Sequence, residues 1–433
     1  MVVFRRGMCG LKKDMMAVDG TQADTGALNP VRRQNRARIL LEIRRVPRIS
    51  RRQLAACTGL TDATVSRIVK DLIGEGLVED VEREPESLRR GRRQIGLRIR
   101  PTGLSLLAIC LSAYEQRISV IDASGGRQFE AQVPGLPGAT PEEVTDFIVA
   151  EMTRQGFCGR GATRRLGGVS IAVAGAVDSR QRAILSAPLI HWARDGFGRR
   201  IEDALGCPVV LDNVANVLHI AELRYGERGP AANSLLIHGA SGLGASLLVN
   251  GVLSRGSGNE GAINQMLVSR PMGDQHDHIR LCDVVSGDRI LDQIARRAPN
   301  TASSWPAGSF RARLLQAVND ANTGNTRIAD VFHETGCQLG VAVGAIAAVV
   351  QPERLILAGP LSKAGAFARG VEETFRMSFC TLFGASSLTH IAELSYHRAT
   401  ELVGLEAFLL GSARDGLEGL TQFASMPANA LED

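Results

Sequence analysis

Residues 50–78 read SRRQLAACTGLTDATVSRIVKDLIGEGLV, and this stretch decides how the N-terminal part of the chain folds. Ser50, with Gln53 three residues on, has the form of a capping box, each side chain satisfying a free backbone N–H at a helix start. Gly59 supplies a turn, and Thr61 has the form of a second N-cap. Beyond it Val65, Ile68, Val69, Leu72 and Ile73 recur at helical spacing and predict an inward face. Asp62, Ala63, Thr64, Ser66, Arg67 and Lys70 are left outside, and Gly76 ends the helix. Two short helices around a tight turn, the second small, polar and basic outside, predict a helix-turn-helix whose second helix lies in a DNA major groove.

Upstream, Asn29-Pro30 is a helix-start signal, and Ile39, Leu40 and Ile43 stripe a helix that ends near Pro47. Downstream, residues 77–82 and 94–100 read as two strands of a hairpin with a long Arg-rich tip, which completes a winged helix-turn-helix over residues 29–100. Arg67 suits a guanine edge, and Ala63 or Thr64 a thymine methyl. Ser50, Arg51 and Arg52 stand at the start of the second helix, where the two arginines suit phosphates. Thr61, Ser66 and Lys70 complete the helix face, and Arg90, Arg92 and Arg93 on the wing suit a narrow minor groove.

Charge agrees with this division. Residues 31–100 hold 18 Lys/Arg against 9 Asp/Glu, while the whole chain of 433 residues holds 50 against 45, so the rest is mildly acidic. A basic head on an acidic body suits a nucleic-acid-binding module on a non-binding trunk. Aromatic residues make up 4% of the chain, which argues against stacking on single strands. Eight cysteines form no CxxC pair, so neither a disulfide framework nor a zinc ribbon is signalled, and a reducing cytoplasm is expected. No apolar run reaches the ~18 residues of a membrane span, and residues 339–350 read as a buried helix. Residues 1–28 read either as a disordered tail or as upstream sequence before a later start, and residues 414–433 as a tail.

From Leu104 the texture changes. Strands are expected at 104–111, 116–122, 127–133, 167–174 and 208–211, with helices at 141–155 and 213–225. The unit partly repeats: strands at 234–238 and 246–249 around an Asn250-Gly251 turn, helices at 283–297, 308–319 and 326–350, a strand at 354–358, a helix near 366–376, a strand at 389–394 and a last helix at 399–410. A doubled α/β unit predicts two lobes, residues 101–232 and 233–413, with a cleft between them and the last helix returning to the first lobe.

Over residues 30–410 the chain resembles the ROK family of repressors and sugar kinases. The resemblance is carried by residues 49–80 with RRGRRQIGLRIRP (89–101), then by VSIAVAGAVD (169–178), LDNVANVLHIAELRYG (211–226), SGLGASLLVNGVLSRGSGNEGAINQM (241–266) and QPERLILAGPLS (351–362). It implies a bilobal, actin-like sugar-kinase fold (ribonuclease H-like) behind the winged helix-turn-helix. It also implies a phosphate-binding DxGGT-like turn, a carboxylate base in an NDAN-like motif, polar sugar ligands and a CxCGxxGC-like zinc motif. Residues 110–115, CLSAYE, stand at the first turn without a glycine. Asn213-Val214-Ala215-Asn216 stand at the second motif, so the base position is Val214, which takes no proton and leaves no catalytic residue. Asp212, two residues away, is the alternative base, although neighbouring residues at a strand end point in different directions.

Gly242 and Gly244 remain of a TGIGGG-like turn, where they serve either a tight hairpin or a phosphate. The sugar-ligand stretch holds Ala262 for a glutamate and Gln265 for a histidine, and His191 lies where a sugar-proximal loop is expected. His191, Asp212, Asn213, Gly242, Gly244 and Gln265 are therefore the candidate ligand residues, of either a modified small-molecule pocket or an occluded cleft. The zinc cysteines would fall at Gly273, Gln275 and Arg280. Asp274, His276, His278 and Cys282 cluster there, either as a metal site or as a solvated polar loop. No cofactor is expected.

The expectation that results is a DNA-binding regulator, a repressor in kind. It would bind a palindromic, partly A·T-rich duplex as a homodimer or dimer of dimers, with a sugar or sugar phosphate as signal and no membrane partner. Two rivals stand beside it: an ATP-dependent sugar kinase with a DNA-binding head, and a DNA-binding scaffold without an effector.

Overall fold

A computed structural model of the chain describes residues 30–82, 95–229, 231–256, 261–272, 275–305, 308–383, 389–411 and 420. Helices α1 (Pro30–Arg45), α2 (Arg51–Thr58) and α3 (Asp62–Gly74) precede a hairpin of β1 (Val78–Glu82) and β2 (Ile95–Ile99). Both expected caps form. The Ser50 hydroxyl accepts from the Gln53 N–H and the Gln53 carbonyl from the Ser50 N–H, while Thr61 accepts from the Thr64 N–H. Gly59 closes α2 at φ +68°, a left-handed conformation that costs any residue with a Cβ. Val65, Ile68, Val69 and Leu72 are buried against Ile39, Leu40 and Ile43 of α1. Ile49 adds an antiparallel bridge to Leu97, so the segment between α1 and α2 is stitched to the wing. The wing tip, residues 83–94, lies outside the described residues, and with it Arg90, Arg92 and Arg93.

The trunk holds two five-stranded sheets. The first contains β3 (Ser105–Leu111), β4 (Gln116–Asp122), β5 (Arg127–Gln132), β6 (Gly168–Val173) and β10 (Val209–Asn213), in the order β10-β6-β3-β4-β5. The parallel pairs β3–β6 and β6–β10 make up one side of the sheet, and β6, flanked on both edges, is buried at all six residues. Helix α4 (Pro141–Arg154) lies before β6. Three short strands, β7 (Ala176–Asp178), β8 (Ala183–Ala187) and β9 (Trp192–Asp195), and helix α5 (Phe197–Leu205) lie before β10, with α6 (Val214–Tyr225) after it. The small β7–β8–β9 sheet was not expected from the sequence: its strands are too short to show a periodicity.

The second sheet holds β11 (Ser234–Gly239), β12 (Leu243–Val249), β13 (Val252–Leu253), β16 (Arg354–Ala358) and β17 (Thr389–Ile391), in the order β13-β12-β11-β16-β17. Asn250 and Gly251 both take positive φ, 51° and 75°, as the hairpin turn between β12 and β13 demands. Between the strands come the hairpin β14 (Leu267–Met272) and β15 (Gln275–Arg280), then α7 (Gly287–Arg297), α8 (Pro299–Ser304), α9 (Phe310–Asn322), α10 (Thr326–Val350) and α11 (Gly365–Phe383). The stretch carrying His276 and His278 is thus a strand paired with β14, with His278 opposite Ser269, rather than a loop. Helix α10 is, among the described residues, the one helix long and apolar enough to cross a membrane. Eleven of its residues are buried, in the core that it shares with α7, α9 and α11. Helix α12 (Tyr396–Leu409) begins three residues earlier than expected, capped by Ser395, and packs on β3, β6 and α6.

Candidate nucleic-acid interface and trunk cleft

The outer face of α3 is exposed at Thr61, Asp62, Ala63, Ser66, Arg67 and Lys70, and Thr64 is half-buried under the Thr61 cap. Each small residue keeps the helix slim at its N-terminal end, where groove-bound helices contact base edges. Arg52, Arg67 and Lys70 have no ion-pair partner among the described residues, whereas Arg51 is held by Asp80 of the wing at 3.0 Å. The Ser50 hydroxyl is engaged in its cap. On α1, Arg32 pairs with Asp71 at 2.9 Å and Arg36 with Glu75 at 2.5 Å. Arg52 on α2 and Arg67 and Lys70 on α3 thus present unpaired charge on the described surface, which is what a phosphate-facing surface requires.

At the start of α6, Val214 is 2% exposed, packed in the core rather than facing solvent. Asp212 is fully buried. Arg255 Nη1 and Nη2 approach its two oxygens at 2.8 and 2.7 Å, and Asn216 Nδ2 and the Asn213 N–H donate to Oδ1 at 2.9 and 2.7 Å. Asn213 caps α6 by accepting from the Ala215 N–H, and its amide donates to the Gly175 carbonyl. His191, left-handed at φ 60°, and Gln265, at the end of a short 3-10 turn, are both exposed on separate elements. Of the candidate ligand residues, the structure brings Asp212 and Asn213 together and leaves His191 and Gln265 apart.

Aromatic rings lie between the β3–β4 turn and β12. The β3–β4 turn is closed by Ser112, whose hydroxyl accepts from the Tyr114 and Glu115 N–H groups at 3.2 and 2.7 Å. Tyr114 from that turn lies 5.6 Å from the Tyr396 ring, and Tyr396 meets His238 edge-on at 4.6 Å. His238 ends β11, and its Nδ1 is 4.0 Å from the place a Cβ would take on Gly244. The stack thus runs from the first turn to the second. Arg311 of α9 closes it, 5.0 Å above the Tyr114 ring and 3.3 Å from the buried carboxylate of Glu115. Gly359, at φ +89°, makes room for the stack: a Cβ there would stand 2.8 Å from the Tyr396 hydroxyl and 2.5 Å from the Gly239 carbonyl. Burial lowers the His238 pKa to about 4 and raises that of Tyr396 far above its usual value, so both rings are neutral at pH 7. Sequence reasoning missed Tyr396 and Arg311; nothing near them in the chain signals that they meet Tyr114.

A further contact joins head to trunk. Arg44 of α1 donates to the Tyr225 hydroxyl at 3.2 Å and lies 5.5 Å over its ring. That hydroxyl donates to Glu406 of α12 at 2.5 Å, and Glu406 also pairs with Arg224. Tyr225 is the last residue of α6, the helix that begins beside Asp212 and Asn213.

A winged helix-turn-helix on a bilobal sugar-kinase-like trunk defines the class. The ROK family model matches residues 113–404, and the chain belongs to that family. Residues 31–90 match the MarR family model, in agreement with the winged head. The chain is 22% identical over 348 residues to the DNA-binding transcriptional dual regulator NagC of Escherichia coli K12, spanning 80% of this chain and 85% of NagC. It shares its fold with a crystallised ROK family transcriptional regulator described as a homologue of the E. coli MLC protein, at TM-score 0.69 and 21% identity, covering 91% of this chain and 98% of that one. A ROK family glucokinase from Streptomyces griseus, crystallised with glucose and AMPPNP, matches at TM-score 0.56 and 21% identity over 72% of this chain and all of the other.

Proposed function

We propose that this protein is a DNA-binding transcriptional regulator, a repressor in kind, whose trunk assembles and switches the DNA-binding heads and does not transfer phosphate. The observation that carries the reading is the pairing of two facts: an exposed α3 with unpaired Arg67 and Lys70, and a base position occupied by a buried valine. Phosphoryl transfer needs a residue to take or orient the hydroxyl proton and backbone amides around the phosphates. Asp212 is committed to Arg255, and Tyr114, Tyr396 and His238 pack together beside the β3–β4 turn. The trunk relatives that bind sugars or nucleotides give the reading its rival, since a glucokinase shares the fold.

Operation follows from the topology. Heads at residues 29–100 carry Arg52, Thr61, Ala63, Thr64, Ser66, Arg67 and Lys70 to a palindromic duplex, with Ser50, Arg51 and the wing arginines flanking them. Trunk lobes at residues 101–232 and 233–413 dimerise and place two heads one helical turn apart. A sugar or sugar phosphate entering beside Asn213 would move α6, and α6 ends at Tyr225 on Arg44 of the head. A ligand acts only through its preference for one lobe arrangement over another. Such a protein works in the cytoplasm, where its DNA is.

Selection of bound genomic fragments, with and without a panel of hexoses and amino sugars, tests the reading. Recovery of palindromic fragments, released by one sugar, is expected. Sugar-dependent ATP turnover that disappears in Asp212→Asn would replace it with the kinase. Retention of DNA under every sugar, with no thermal stabilisation by any of them, would replace the sensing trunk with a scaffold.

A further inference from the structure

We propose that His333, Cys337 and Glu373 form a binding site for a thiophilic divalent transition metal of the zinc class, clamping α10 to α11. The site lies on the outer face of this helix pair, on other elements than the β14–β15 hairpin where the ROK resemblance places a zinc motif. His333 and Cys337 are four apart on α10 and so stand one above the other on one helix face. Glu373 reaches them from α11.

The backbones enforce the meeting. A Cβ on Gly370 would stand 2.2 Å from the His333 carbonyl oxygen, and one on Gly336 would stand 2.2 Å from that of Phe367. Only glycines let the two helices approach so closely. The Thr374 hydroxyl then donates to the Cys337 carbonyl at 2.9 Å, fixing the register of one helix on the other. All three side chains project from ordered helices rather than from a loop.

Two of the three donor pairs already stand near zinc geometry. His333 Nε2 is 2.9 Å from Glu373 Oε2 and 4.0 Å from Cys337 Sγ, and the three donor atoms all lie within 4.8 Å of one another. Tetrahedral bonds of zinc length set N and O donors about 3.3 Å apart and N and S donors about 3.6 Å apart. Moves of a few tenths of an ångström satisfy these two pairs, and rotation of the exposed Glu373 side chain brings its carboxylate toward Cys337 Sγ. An imidazole, a thiolate and a carboxylate together favour zinc, cobalt or copper over magnesium or calcium, which take oxygen alone. The His333 and Glu373 side chains are 38% and 58% exposed, so the fourth position opens to water. Without metal the same geometry is a plain His–Glu contact beside a thiol, which is the competing account.

The test uses the full chain, stripped with chelator and titrated with Zn(II) and with Co(II). One equivalent of Co(II) with a near-ultraviolet thiolate-to-cobalt band is expected, together with a rise in thermal midpoint on Zn(II) addition. Cys337→Ser should lose the band, and Glu373→Gln should weaken Zn(II) binding on the order of tenfold or more. Cys282→Ser, beside the hairpin histidines, should keep band and affinity. No metal retained above the buffer level, or a band that persists in Cys337→Ser and vanishes in Cys282→Ser, would overturn the assignment.

Discussion

Arg255→Ala is the substitution whose cost follows most directly from the structure. Asp212 is fully buried at the end of β10, and Arg255, 19% exposed, comes from the loop after β13, so the pair ties the first sheet to the second. Removing the guanidinium leaves an ionised carboxylate in the core, and breaking a buried pair from one side costs about 3–5 kcal/mol. Two donors remain on Asp212, Asn216 Nδ2 and the Asn213 N–H, which places the expected loss near the low end, about 3 kcal/mol. Urea unfolding followed through the buried Trp192 of one lobe and Trp305 of the other reads the loss separately on each side. With a urea slope of about 3 kcal/mol/M, the midpoint should fall by roughly 1 M. Adding Asp212→Asn to Arg255→Ala removes the stranded charge and should restore at least half of the loss, a non-additivity that a merely local packing defect would not give. A single variant within about 0.5 kcal/mol of the parent, or a double variant no more stable than Arg255→Ala, would refute the reasoning.

The other expectations concern DNA contact, pH and the head–trunk joint. Arg67→Ala should weaken specific duplex binding by about 1–3 kcal/mol and relax one base position, whereas Lys70→Ala should lower the salt slope by about 1 without changing sequence preference; fluorescence anisotropy at several salt concentrations separates the two. His219, buried between the Ser246 and Ser234 hydroxyls at 3.0 and 2.7 Å, has its pKa lowered by burial to about 3. The unfolded chain therefore takes up the proton first: stability is full above the unfolded value near 6.5 and falls as pH drops toward 3, by on the order of 2 kcal/mol between pH 7 and 5. His219→Gln should flatten that slope in denaturation curves across the same range. Tyr225→Phe deletes the hydroxyl shared by Arg44 and Glu406 and should cost about 1–2 kcal/mol, read as an earlier thermal transition of the head.

The winged head was legible because its signals are local. Caps at Ser50 and Thr61, the left-handed Gly59 and the stripe Val65–Leu72 each lie within a few residues of what they specify, and all formed. The long helix at 326–350 was legible to the residue for the same reason, with Asn325 capping it and Gln351 ending it. Legibility failed where strands are short or where partners are distant in the chain. The β7–β8–β9 sheet has strands of three to five residues, too few for an alternation to show. His276 and His278 were expected in a polar loop, yet Gln275–Arg280 pair with β14 as a strand, because pairing is set by a partner strand that polar composition does not reveal; Asp274 lies outside the described residues.

The sequence by itself determined the chemistry available at each position: Val214 without a transferable proton, residues 110–115 without a glycine, and Arg67 and Lys70 on the outer side of a helical stripe. Only the tertiary structure decided what those residues meet. It gave Asp212 to Arg255 across 43 positions, set Tyr114 against Tyr396 and His238, and brought Arg311 over Tyr114. It also laid Glu373 beside His333 through a glycine-lined helix crossing. The physical reason is range. Caps, turns and amphipathic stripes are set by backbone hydrogen bonds and periodicity within a few residues, whereas ion pairs and ring stacks depend on how whole sheets and helices pack, which no short window of the chain contains.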